Sequence, residues 1–307
     1  MISWFSSSLI KKLVINGIAF TAYHFSRKKR RLIEKNLFKA FDGKLNKNQR
    51  GEIVKGAFHE YWQDTFWLLP SKVEKAALSR VEIRGLEYLH KALEDGKGVI
   101  LWESAVFGQR NLAKQILHEK GFSLYQIHNE KHLGTFFIGK TVTWMRIHVI
   151  KRFFERCEKQ FVEDIIYLPS TDSLLFTRIL LNRLKQNAIL CVTGDAEFGE
   201  KLIPIKFFHC IKFLPTGMVS LAKISGASIL PLFCIQGENG EINLIIEQPI
   251  QIKTGVDKEL GLEKSINQYV GLLESYIRRY PEKYQAWQCL CRSERAEFNA
   301  EVLLTNR

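Results

Sequence analysis

Short apolar runs alternate with helical patterns through most of the chain after residue 85. The run 98–102 follows a glycine-rich turn and is typical of a buried strand in a parallel sheet. Comparable runs predict further strands at 122–127, 165–168, 188–192 and 228–235, with helical patterns between them. The dipeptide Asn239-Gly240 lies between two apolar runs and predicts a hairpin to one more strand at 242–247.

Strands separated by helices predict an α/β fold with a mostly parallel sheet covered by helices on both faces. Ahead of the sheet, apolar and aromatic residues recur at helical spacing over 54–69, and Asn46 with Gln49 forms a capping-box pattern before them. We expect an α/β domain of residues 31–307, preceded by a helical, membrane-facing extension of residues 1–30. Ligands of open α/β sheets bind beyond the carboxyl ends of strands, so the end of the run 98–102 is the first candidate position for a site.

Positive charge is concentrated near the N-terminus. The 307 residues carry a formal net charge of +13, and residues 1–55 alone hold thirteen Lys and Arg against three Asp and Glu. Fourteen mostly apolar residues, 13–26, precede the basic run 27–31. They are shorter than the ~20 residues that span a bilayer. The pattern predicts an interfacial or shallowly inserted helix with its basic cluster on an anionic membrane surface; the alternative is a solvated basic face.

Sequence motifs for several other chemistries are absent. The chain has no glycine-rich phosphate cradle and no nucleophile elbow, so we expect no cofactor, and it has no nucleic-acid motif. His128 and His132 are four residues apart but lack a third ligand, so no metal site is predicted. The six cysteines contain no Cys-x-x-Cys pair, and we expect buried thiols in a reducing compartment rather than disulfides.

Several sequence blocks share one order and spacing. They are Asn36-Leu37 with Ala40-Phe41, the run 96–101 followed by Phe107-Gly108, Asp195 followed by 203–208 and 215–217, the run 225–231, and Pro281 with Trp287. Together these blocks resemble the bacterial lipid A biosynthesis acyltransferases, the lauroyl and myristoyl transferases of the lysophospholipid acyltransferase-like superfamily. The resemblance covers residues 30–290 and supports the α/β fold.

The resemblance implies a chemistry as well as a fold. It implies transfer of a fatty acyl group from acyl carrier protein or acyl-CoA to a hydroxyl of a membrane lipid, at the cytoplasmic face of the bacterial inner membrane. The family signature is His-x4-Asp/Glu, in which the histidine is the base and the carboxylate orients it. With Phe107-Gly108 in register, these positions hold Val106 and Asn111, and neither side chain can transfer a proton.

Three side chains are candidates for the missing base. Glu103 ends the predicted strand three residues before the vacant histidine position. His128 and His132 follow the next predicted strand, and either can replace the base or pair with Glu103. The alternatives are an N-cap or an ion pair with Arg110 for Glu103, and a surface or core-edge position for the two histidines.

Four more residues are candidates for substrate binding. Arg110 can hold a phosphate or stabilise an oxyanion. Phe107 and Gly108 form the turn that the chain shares with the family. Asp195 follows the run 188–192 and is a candidate for positioning the acyl-donor channel or a neighbouring loop. The alternative is an ordinary turn residue.

Three functions are compatible with the sequence. The first, which is the one we expect, is a membrane-associated acyltransferase with a relocated base. The second is a non-catalytic relative that binds lipid or acyl carrier protein, which the missing histidine and carboxylate favour. The third is an unrelated protein that binds a membrane surface or a nucleic acid, and basic residues next to an apolar helix favour lipid over nucleic acid.

Overall fold

The computed structural model describes residues 8–67, 81–129, 152–168, 173–197, 199, 201–237, 239–252 and 258–291. Three helices come first, α1 (Ser8–Phe25), α2 (Arg27–Ala40) and α3 (Lys47–Trp67). The predicted capping box is confirmed, because the side-chain oxygens of Asn46 and Gln49 each accept the other residue's backbone N–H at 2.9 Å. This exchange satisfies backbone donors at the start of α3 that have no partner within the helix.

The described strands of the domain form one seven-stranded sheet and a separate pair. In chain order the elements are β1 (Val81–Arg84), α4 (Leu86–Glu94), β2 (Val99–Glu103), α5 (Arg110–Glu119), β3 (Leu124–Asn129), α6 (Arg152–Glu158), β4 (Asp164–Leu168), α7 (Ser173–Lys185), β5 (Ile189–Thr193), β6 (Leu202–Phe207), β7 (Cys210–Pro215), α8 (Gly217–Ser225), β8 (Ser228–Gln236), β9 (Ile242–Ile246) and α9 (Lys258–Arg279). The order in the large sheet is β1-β9-β8-β2-β5-β3-β4. Neighbouring strands are parallel except β8 and β9, which form the predicted antiparallel hairpin.

Both faces of the large sheet are covered. Successive side chains of a strand point to opposite faces. Leu101 of β2 packs with Leu89 and Ile116 of α4 and α5, whereas Ile100 packs on the opposite side, in the core that contains Tyr269 of α9. Burial of each such aliphatic side chain contributes about 1.5–3 kcal/mol. The predicted α/β class, with a mostly parallel sheet between helices, is confirmed.

The N-terminal helices pack onto the domain. The ring of Tyr23 in α1 meets Phe58 of α3 edge to face at 5.8 Å between centroids, and His59 contacts Asn16 at 3.0 Å. The basic run 27–31 forms the first turns of α2, directly after α1. In the described part of the chain, no helix is both long enough and apolar enough to cross a bilayer.

The sequence prediction missed one pair of strands. The sequence patterns predict no strand between 192 and 228, but β6 and β7 pair in antiparallel fashion within residues 202–215. Pro204 lies inside β6 and lacks a backbone N–H, which is tolerated here because a two-stranded sheet has only edge strands. The alternation of apolar and polar residues around Pro204 was the available signal.

The expectation that no cysteine forms a disulfide is wrong for one pair. Cys210 at the start of β7 and Cys291 are joined, with their Cα atoms 5.2 Å apart. The two residues are 81 positions apart, so no spacing motif reveals them. Cys157, Cys191 and Cys234 are buried free thiols, as expected.

Candidate active site

The candidate site lies at the carboxyl end of β2, in the middle of the large sheet. Strand β2 pairs in parallel with β5 on one side and with β8 on the other, so three strands end at the same edge. Beyond Glu103, residues 104–109 connect β2 to α5. This edge is where open α/β sheets bind their ligands. The run 98–102 forms β2, so the candidate position predicted from the sequence lies at this edge.

Glu103 is buried between the sheet and α5. Only 1% of the residue is exposed, and its Oε1 lies 3.9 Å from both Arg110 Nη1 and Lys114 Nζ. Neither carboxylate oxygen has a hydrogen-bond partner among the described residues. Burial opposes the charge on Arg110, but Glu103 and Asp64 outweigh it and raise the pKa of Arg110. Glu103 thus forms the ion pair with Arg110, which the sequence analysis gives as one of the two alternatives to a catalytic base.

A chain of buried charges connects Glu103 to His128. Lys114 Nζ lies 2.5 Å from Glu158 Oε1 and donates to Gln126 Oε1 at 2.6 Å, and Glu158 Oε2 lies 2.7 Å from His128 Nε2. Burial disfavours the charges of Lys114 and Glu158, but the carboxylates of Glu103 and Glu158 raise the pKa of Lys114. In the same way Lys114 and His128 hold the pKa of Glu158 well below its usual range. His128 therefore reaches Glu103 through two other side chains, and His132 lies outside the described residues.

Asp195 holds the loop that follows β2. Its carboxylate accepts a short hydrogen bond from the Ser104 hydroxyl and one of 2.6 Å from the backbone N–H of Ala105. Ser104 Oγ in turn accepts the backbone N–H of Phe107 at 2.9 Å. Burial raises the pKa of Asp195, and these hydrogen bonds oppose that rise. Of the roles considered for Asp195, the contacts match the positioning of a neighbouring loop.

The segment after α9 holds the same loop from the other side. The backbone N–H of Gly108 donates to the Lys283 carbonyl at 3.1 Å, and that of Gln285 donates to the Val106 carbonyl at 2.8 Å. Gly108 has φ +67°, and a Cβ there would lie 2.4 Å from the carbonyl oxygen of Cys234. Only glycine fits this backbone, which explains the Phe107-Gly108 turn in physical terms.

Helix α3 contributes a carboxylate that sequence reasoning missed. Asp64 Oδ1 accepts the backbone N–H of Asn111 at 3.3 Å, and Oδ2 accepts its side-chain amide at the same distance. Burial, opposed by Arg110, raises the pKa of Asp64 to about 6. One turn earlier, Glu60 lies 3.2 Å from Lys283 Nζ. The sequence signal was two carboxylates four residues apart on one face of an aromatic-rich helix.

The positions of the family's catalytic pair contain no proton-transfer group. Val106 is 8% exposed and Asn111 is 1% exposed, so both are enclosed by protein. Asn111 lies in the first turn of α5 and is bound by Asp64 from α3. A carboxylate is therefore present next to the vacant carboxylate position, but it comes from a different helix.

These features define an open α/β domain with a charged, buried site at the carboxyl end of its central strand. The chain belongs to the family described as bacterial lipid A biosynthesis acyltransferase, whose model matches residues 2–289. The sequence resemblance to this family is thereby confirmed.

Two relatives with known names are less than 30% identical to the chain. A phosphatidylinositol mannoside acyltransferase of Mycobacterium tuberculosis is 27% identical over 190 residues, which cover 58% of this chain and 52% of that protein. A lipid A biosynthesis acyltransferase of Haemophilus influenzae is 22% identical over 270 residues, which cover 85% of this chain and 75% of that protein. The match thus spans about half the length of the mycobacterial relative.

Proposed function

We propose that the protein is a membrane-associated acyltransferase with a non-standard active site. It moves a fatty acyl group from a thioester of acyl carrier protein or coenzyme A to a hydroxyl of a lipid or glycolipid at the cytoplasmic face of the bacterial inner membrane. The observation that carries the proposal is the pair of Asp64 and Asn111, because Asp64 is a buried carboxylate in contact with the residue at the family's carboxylate position.

The reaction requires a base, an oxyanion partner and a leaving thiol. The base removes the proton of the acceptor hydroxyl, and the oxygen attacks the thioester carbonyl carbon. The carbon–sulfur bond then breaks, and the leaving thiolate takes the proton from the base and departs as a thiol. Asp64 is the first candidate for the base, since a carboxyl with a pKa of about 6 accepts protons near neutral pH. Glu103, the candidate from the sequence, is the second.

Arg110 is the candidate partner for the negative charge of the intermediate. Its side chain is 10% exposed, and its Nε has no hydrogen-bond partner among the described residues. A guanidinium with a free N–H can donate to an oxyanion or to a phosphate of the donor or acceptor. The ion pair with Glu103 orients Arg110 for this role.

The outer face of the N-terminal helices supports membrane association. Leu13, Phe20 and Phe25 of α1 are 62%, 66% and 86% exposed. The neighbouring helix α2 begins with the basic run and exposes Arg27 and Lys28. Exposed apolar side chains next to basic ones are the pattern of a helix that lies in the interface of an anionic membrane.

Carboxamide variants of the two carboxylates test the proposal. With acyl thioesters and membrane lipid extract, Asp64→Asn is expected to lower kcat/KM by roughly 10²–10⁴-fold, since that is the usual contribution of a general base. The wild-type rate is expected to fall as the pH drops below about 6, because the base is then protonated. Glu60→Gln is the matched control, a buried carboxylate on the same helix that pairs with Lys283 instead.

The results of the two variants separate the two bases. Full activity of Asp64→Asn together with loss in Glu103→Gln would transfer the role to Glu103. Full activity in both variants would remove both carboxylates as bases and contradict the proposed site.

The missing histidine and carboxylate favour one alternative function. With Val106 and Asn111 at those positions, the chain can be a non-catalytic relative that binds lipid or acyl carrier protein. Such a protein is expected to bind an acyl carrier protein thioester in a pull-down and to leave the thioester intact. Turnover by the wild-type protein would exclude this alternative.

A further inference from the structure

Three metal-ligating side chains meet at the end of the β6–β7 pair, outside the candidate active site. His209 lies in the turn between β6 and β7, Cys210 begins β7, and Cys291 follows α9 and two short 3-10 turns. Their ligand atoms all lie within 4.8 Å of one another, and His209 Nε2 is 3.0 Å from Cys291 Sγ. His209 and Cys210 are neighbours in the sequence, whereas Cys291 follows 81 positions after Cys210, so the fold brings the third ligand to the other two.

The chemistry of this set matches a transition metal. Two thiolates and one imidazole are ligands that zinc accepts, and a fourth tetrahedral position stays open for water. His209 and Cys291 are exposed, so an ion and a water molecule can reach the set.

We propose that His209, Cys210 and Cys291 form a Zn²⁺ site when the two thiols are reduced. The disulfide of Cys210 and Cys291 takes two electrons and two protons from a dithiol reductant, which becomes a disulfide. Binding of Zn²⁺ then replaces the two thiol protons, which are released to solvent. Cys210 and Cys291 thus form a disulfide when they are oxidised and bind Zn²⁺ when they are reduced.

The link at residue 291 affects the loop after β2 through the C-terminal segment. Either link attaches residue 291 to the β6–β7 pair and so limits the movement of the segment that begins at Pro281. This segment holds Val106 and Gly108 through hydrogen bonds to Gln285 and Lys283. The zinc site therefore stabilises the C-terminal segment that supports the loop of the candidate active site. This inference stands apart from the proposed acyl transfer.

Metal content is the direct test. The full-length protein, reduced with a dithiol that is then removed under argon, is expected to bind one equivalent of Zn²⁺ in a chelator competition. With Co²⁺ as the probe, thiolate-to-cobalt charge-transfer absorption in the near ultraviolet is expected. Loss of stoichiometric binding is expected in Cys291→Ser and in His209→Ala.

Cys289→Ser is the matched control, because Cys289 lies two residues away and belongs neither to the disulfide nor to the ligand set. It is expected to bind one equivalent like the wild-type protein. We expect each variant to keep the fold, because His209 and Cys291 are exposed, and circular dichroism verifies this. Absence of Zn²⁺ and Co²⁺ binding by the reduced wild-type protein would overturn the proposal. Equal binding by Cys291→Ser and the wild-type protein would overturn it as well.

Discussion

Lys114 is the residue whose loss is expected to damage the interior most. Its ammonium is fully enclosed, 2.5 Å from Glu158, 3.9 Å from Glu103 and 2.6 Å from the Gln126 amide oxygen. Lys114→Met keeps most of the side-chain volume but removes the charge between two buried carboxylates. Removing one partner of a buried ion pair costs about 3–5 kcal/mol, because the remaining charge is left without compensation. We expect the free energy of unfolding to fall by that amount.

Urea denaturation followed by circular dichroism measures this change. The midpoint is expected to decrease while the slope of the unfolding free energy with urea stays constant, since the surface exposed on unfolding is unchanged. Lys55→Met is the matched control, because the 2.8 Å pair of Lys55 with Glu52 lies on the surface. Little change is expected there. A Lys114→Met protein as stable as the wild type would refute the charge network.

The pH dependence gives an independent test of the same network. The folded-state pKa of Glu158 is lowered, so its contribution is present above the ordinary carboxyl pKa and is lost as the pH falls through the folded value. The folded-state pKa of Lys114 is raised, so its contribution is present below the ordinary lysine pKa and is lost as the pH rises through the folded value. The stability difference between wild type and Lys114→Met is therefore expected to be largest near neutral pH.

Two further predictions concern the backbone at Gly108 and the basic end of α2. Gly108→Ala is expected to lose roughly 3 kcal/mol or more of stability, since its Cβ would meet the Cys234 carbonyl oxygen at 2.4 Å. Gly96→Ala has nearly the same φ, +68°, but open space, and is expected to lose only about 1–2 kcal/mol; equal losses in thermal unfolding would contradict the steric argument. Reversing the exposed charges of Arg27, Lys28 and Arg31 to Glu is expected to reduce binding to anionic vesicles in a sedimentation assay; unchanged binding would contradict the membrane-facing role.

Most of the fold follows from local patterns in the sequence. The apolar runs become β2, β3, β4, β5 and β8, because a short run bounded by turns has few other stable conformations. The pair β6–β7 was missed, since Pro204 argues against a strand unless the strand is known to lie at an edge. Pairing order in the sheet also lies beyond local patterns, because it depends on contacts between distant segments.

The candidate site was only partly predictable. Glu103 and Arg110 are close in the sequence, and the strand end that separates them indicates their common location. Lys114 was missed because it lies among apolar residues of a helix whose pattern indicates only burial. Glu158 and Asp64 come from segments about fifty residues away on either side, and only the folded chain brings them to α5. Such long-range pairs leave no spacing signal in a single sequence.

Acyl transfer by the wild-type protein tests the central claim most directly. The purified full-length chain is incubated with acyl carrier protein that carries an isotope-labelled fatty acyl thioester, and with membrane lipid extract. We expect free carrier protein and a lipid whose mass increases by the labelled acyl group, both detected by mass spectrometry. An intact thioester after incubation with both carrier-protein and coenzyme A donors, from a protein that still binds them, would contradict the enzymatic function.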